Sequence, residues 1–176
     1  MKITTRALLT SLLVVVLAAC ATPDSGEGRK VDTSGKEDVD LDAVPAEVIA
    51  VAMAAQPELD LSEAEYETRD GNEYYDVGGT LPDGSELELD ITRISGVWTV
   101  VETQRDIDMG ATPGPVADAL RGTAPEWSPE RIIESDQGDG VVIYEFLGED
   151  DDGEDTKIEV KFEDGRAEVL VDEWLH

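Results

Sequence analysis

Leu87-Glu88-Leu89-Asp90-Ile91 alternates apolar and acidic side chains at every step. Successive residues of a β-strand point to opposite faces, so this run predicts a strand with one buried and one wet face. Ile158-Glu159-Val160-Lys161-Phe162 repeats the pattern. Around these runs lie Asp70-Gly71, Asp83-Gly84, Asp152-Gly153 and Asp164-Gly165. Such dipeptides mark hairpin turns, because glycine accepts positive φ.

The two alternating runs belong to two copies of one unit. Pro45 and Pro57 bracket one apolar segment, Pro113 and Pro125 another, and the copies are offset by 68 residues. Further along the offset is 69: Tyr75-Asp76-Val77 matches Tyr144-Glu145-Phe146, Ser95-Gly96 matches Asp164-Gly165, and Val100 matches Val169. Between the prolines, Val48, Val51, Ala52 and Ala55 fall at helical spacing, as do Val116, Ala119 and Leu120. Each copy therefore reads as a helix followed by strands. The expected fold class is α+β, with two tandem modules, each one helix packed on a four-stranded antiparallel meander sheet. The expected boundaries are 43–106 and 107–176.

The motif order Pro45-Ala46-Glu47-Val48, Pro57, Tyr75-Asp76-Val77 and Asp83-Gly84 resembles PepSY-like modules, which are also likened to β-lactamase inhibitory protein. Pro113, Val116, Pro125, Tyr144-Glu145-Phe146 and Asp164-Gly165 carry the likeness in the second copy. The resemblance implies secreted or envelope-anchored modules that bind or inhibit other proteins. It implies no catalytic residues.

The N-terminus gives an address. Lys2 and Arg6 precede an apolar run from Ala7 to Leu17, which is short for a membrane span and ends in Leu17-Ala18-Ala19-Cys20. This resembles a bacterial lipoprotein signal peptide, residues 1–19, with Cys20 as the lipid-attachment residue. Ala21 in place of an acid implies the outer membrane in a host with two membranes. Residues 20–42 are mostly polar and charged and read as a flexible tether.

The formal net charge is −29. Loss of Lys2 and Arg6 with the signal peptide takes it to −31. A polyanion of this strength repels nucleic acid, so no nucleic-acid partner is expected. The only cysteine is Cys20 and the only histidine is His176. Ser-His, Cys-His and His-ligated zinc chemistry therefore lack their parts, and neither a cofactor nor catalysis is expected. Gly78-Gly79-Thr80 has no lysine behind it and reads as a strand exit rather than a phosphate loop.

Two further features bear on partners. Asp150-Asp151-Asp152-Gly153-Glu154-Asp155 is an acidic hairpin tip that could hold a divalent cation weakly, although it lacks the full spacing of a calcium loop. Tyr74 is out of phase with Tyr75 and Val77, which places it on the outer face of its strand with Ile143 of the second copy. That phase argues against burial and makes Tyr74 the candidate partner-binding residue. Trp98, Trp127 and Trp174 stand out in a chain with few aromatics. The expected function is a lipid-anchored, non-catalytic binding module of the bacterial envelope with a protein partner, open to an inhibitory role by resemblance. The alternative is an acidic cation-binding or envelope-scaffolding lipoprotein.

Overall fold

The structure, a computed structural model, describes residues 35–150 and 152–174. Its elements run β1 (Glu37–Asp38), α1 (Ala46–Ala55), β2 (Asp60–Arg69), β3 (Asn72–Thr80), β4 (Glu86–Ile94) and β5 (Val97–Asp106), then α2 (Gly114–Thr123), β6 (Arg131–Asp136), β7 (Val142–Glu149), β8 (Asp155–Glu163) and β9 (Arg166–Val169). Cys20 and His176 lie outside the described residues, as do the signal segment and most of the expected tether.

The strands form one antiparallel sheet in the order β1 to β9. This corrects the expectation of two separate four-stranded modules. Helix-then-four-strands is the chain order in both halves, but the halves share a sheet through β5 and β6. Thr103 pairs with Asp136, Gln104 with Ser135, Arg105 with Glu134 and Asp106 with Ile133. The physical reason is that the last residues of β5 would otherwise leave a row of open N–H and C=O groups at a sheet edge. The connection through α2 returns β6 beside them. Arg105 Nε donates to Glu134 Oε1 at 2.7 Å, and Arg131 pairs with Asp106 at 2.9 Å, so side chains cross the join in both directions.

Both helices begin directly after a proline, Pro45 and Pro113, whose fixed φ suits a helix entrance. Each ends ten residues later, with the next backbone N–H bonded to Ala52 or Leu120. α1 buries Val48 and Ala52 against Ala64, Val77, Leu89, Ile91 and Trp98. α2 buries Val116 and Leu120 against Ile132, Tyr144, Phe146 and Val160. The register carries Leu89 to Thr103, Thr103 to Asp136 and, two residues on, Glu134 to Tyr144, so the two cores lie on the same side of the sheet. Both helices cover that side.

Asp70-Gly71, Ser95-Gly96 and Asp164-Gly165 form two-residue turns with positive φ at both positions, the geometry that matches strand twist. Gly79 closes β3 beside a bulge in β2 between Leu61 and Glu63, and its α-carbon lies against the backbone of Asp60. Residues 37–38, read in the sequence as tether, are the edge strand, and Val39 and Leu41 pack on the first core.

Candidate functional site

The side of the sheet away from the helices is polar, and its alternate residues are largely acids. Asp76 of β3 stands opposite Asp90 of β4, and Asp90 stands opposite Glu102 of β5. A bulge beside Asp90 breaks the β4–β5 register, so that Ile91 faces Val100 while Asp90 faces Glu102. Glu88 lies two residues before Asp90 and therefore on the same face. Asp76 and Asp90 are each 2% exposed and Glu102 4%. Like charges placed directly opposite across a sheet repel, and burial adds a desolvation cost.

Lys36, just before β1, answers part of this charge. Its Nζ lies 2.6 Å from Asp76 Oδ2 and 3.4 Å from Glu65 Oε2. The Asp90 carboxyl lies within hydrogen-bonding reach of Asp76 as well. One carboxylate oxygen from each of Asp76, Glu88 and Asp90 lies within 4.8 Å of the others. Burial pushes the Asp76 carboxyl up to about 6, and the charge of Asp90 adds to that against the pull of Lys36. Burial likewise raises Glu88 to about 7, with Lys36 opposing and Asp76 and Asp90 reinforcing. Burial works against the charge of Lys36, but its ion pair with Asp76 and the fields of Glu88 and Asp90 outweigh it, and its pKa is raised.

The second half carries the same construction with one change. At the repeat offset of 69, Asp76 corresponds to Glu145 and Asp90 to Glu159, and these two again stand directly opposite. Glu88 corresponds to Lys157. Lys157 Nζ lies 2.8 Å from Glu159, 3.6 Å from Glu145 and 2.6 Å from Glu173. The backbone N–H of Trp174 donates to the other Glu159 oxygen at 2.8 Å. The second carboxylate pair thus has a strand lysine beside it where the first has a third acid.

Between the two clusters lies a cleft of about 120 Å³, whose lining includes Arg69, Asp90, Glu102, Ser135, Lys157 and Trp174. Gln137 joins its two sides: its Nε2 donates to Glu102 Oε1 at 3.0 Å, and its Oε1 accepts from Trp174 Nε1 at 3.0 Å.

Tyr74 lies on this face, as its phase requires, but it is only 7% exposed. The Arg69 guanidinium covers its ring at 4.3 Å, held there by hydrogen bonds to Glu67. The expectation that phase leaves Tyr74 uncovered is therefore corrected: a long side chain from the neighbouring strand lies over it. Ile143 is buried on the same face. Trp98 belongs to the first core, and Trp127 packs on the second while donating to the Glu149 carbonyl. In the acidic hairpin, Asp150 Oδ1 accepts the N–H groups of Asp152 and Glu154, which commits that oxygen to the turn; Asp151 is outside the described residues. Among the described residues the close three-carboxylate group is at Asp76, Glu88 and Asp90, not at the hairpin. The sequence signal for it was present in the repeat, which keeps an acid at both Asp76/Glu145 and Asp90/Glu159.

No protein-family model matches the chain, and no curated protein matches it. The likeness to PepSY-like modules accordingly rests on the quoted motifs alone.

Proposed function

We propose that the chain is a lipid-anchored binding protein of the bacterial envelope, without catalysis, whose polar sheet face receives lysine or arginine side chains of a protein partner. The observation that carries this reading is the cleft on the helix-free face. Its lining brings together Asp90, Glu102, Glu145, Glu159 and Glu173 against Lys36, Arg69 and Lys157, an excess of acid that complements a basic surface. The net charge of −29 draws the same kind of partner from a distance. Among the described residues no helix is long and apolar enough to cross a membrane, and in this reading lipid on Cys20 provides the anchorage.

Site-specific photo-crosslinking in the native envelope tests this. A crosslinker at Gln104 or Glu173, on the polar face, is expected to trap one defined partner, whereas one at the exposed Met53 of α1 is expected to trap none. Trapping from Met53 alone, or from no position, would overturn the reading.

A further inference from the structure

We propose that Ile94 and Val97, at the tip of the β4–β5 hairpin, form the apolar centre of the partner interface, and that the partner meets them with a large apolar side chain flanked by lysine or arginine. This rests on the protein-binding reading above and names where on the polar face the contact is anchored.

The hairpin fixes the pair. Ser95 and Gly96 form its turn, with φ of 53° and 84°, and Ile94 stands directly opposite Val97. Alternation from Asp90 through Thr92 puts Ile94 on the polar face, and Val97 follows Thr99 onto the same face. Ile94 is 53% exposed and Val97 66%. A single exposed apolar side chain is ordinary on a protein surface. Two held face to face beside a tight turn make a preorganised contact.

The repeat shows that folding does not call for this pair. At the offset of 69, Ile94 corresponds to Glu163 and Val97 to Arg166. Those two also stand directly opposite, beside the Asp164-Gly165 turn, which has positive φ at both residues. The same hairpin therefore closes with an opposite-charge pair. The first half carries exposed isoleucine and valine there instead, in a chain whose net charge is −29.

The surroundings select the occupant. Tyr74 stands opposite Thr92, the next residue of β4 on this face, and Arg69 lies over the Tyr74 ring at 4.3 Å. Arg69 in turn lines the acid-rich cleft. An apolar pair thus adjoins a charged groove, the arrangement of a protein interface with an apolar anchor and a polar surround. A second copy carries the same −29, and an anionic lipid surface has the same sign, so both are repelled where a basic protein surface is attracted.

The test is photo-crosslinking from Gln104 of the full chain in the native envelope, repeated in three variants. Ile94→Glu with Val97→Arg copies the second hairpin, should leave the melting temperature unchanged, and should cut the yield of the trapped partner at least about tenfold. Val97→Thr keeps the branched shape and should cut it about threefold. Met53→Ser, which removes an exposed apolar side chain from α1, should leave it unchanged. A crosslinker at the exposed Thr99 should trap the same partner as one at Gln104. No partner trapped by the parent from Gln104 would overturn the protein-binding reading and this inference with it. A defined partner trapped equally by the parent and the hairpin variants, lost equally with Met53→Ser, or replaced by a different one at Thr99 would overturn this inference alone.

Discussion

Asp76 and Asp90 face each other directly across β3 and β4, both almost wholly buried, with Lys36 paired to Asp76. Folding brings these two charges together, and much of the molecule's behaviour follows from what compensates them.

The first consequence is a dependence on pH. Asp76 and Glu88 have folded-state pKa values raised to about 6 and about 7, above those of free carboxyls, so the folded chain binds more protons than the unfolded one. Stability from these groups is fully present below about pH 4 and is lost as pH rises from there to about 6 for Asp76 and about 7 for Glu88. The charged neighbours facing the pair are Lys36, Glu65, Arg69, Asp90 and Glu102. The melting temperature is expected to fall between about pH 4 and about pH 7 and to level off above. A thermal scan across that range checks it, and a melting temperature that rises instead would contradict the account.

Removing one charge should do what protonation does. Asp76→Asn keeps the shape, ends the repulsion with Asp90, and leaves Lys36 free to turn its partly exposed ammonium to water. At pH 8 the variant is expected to be more stable than the parent by about 1 kcal/mol. Chemical denaturation of both proteins measures the difference, and at pH 5 the gain should shrink.

Gly79 makes a test of the fold. A methyl group there would collide with the backbone of Asp60, which cannot move without breaking the end of the β2–β3 ladder. Gly79→Ala is expected to cost roughly 3 kcal/mol, whereas Gly71→Ala, strained by its φ of 80° but with open space around it, should cost less. Urea unfolding of the two variants ranks them.

The continuous sheet makes a further claim. Phe146 is fully buried beneath α2. Phe146→Ala should cost about 3–5 kcal/mol. Because β5 and β6 join the halves, Trp98 in the first core should report the same lowered transition as far-ultraviolet dichroism. Two transitions, with Trp98 unaffected, would mean that the join is weak.

Local structure was legible in the sequence because it obeys local rules. The paired prolines marked both helix entrances, and period-two alternation placed Leu89 and Ile91 inward with Asp90 outward. The dipeptide Asp70-Gly71 announced a turn that needs positive φ at both positions. Two things were not legible. Pairing of Gln104 with Ser135 is a backbone contact between residues far apart, and side-chain periodicity does not specify which strand lies next to which. Nor does alternation distinguish a polar face that is wet from one that is buried. Asp76 and Tyr74 both followed the outward phase, yet Lys36 lies against one and Arg69 over the other. The acids on that face were indistinguishable in composition from the many exposed acids elsewhere, and only their recurrence at Glu145 and Glu159 set them apart.

The most direct measurement is NMR titration of the side-chain carboxyls of Asp76 and Glu88 in the full chain. Midpoints raised to about 6 and about 7 are predicted, and midpoints at or below those of free carboxyls would contradict the buried pairing of acids on this face.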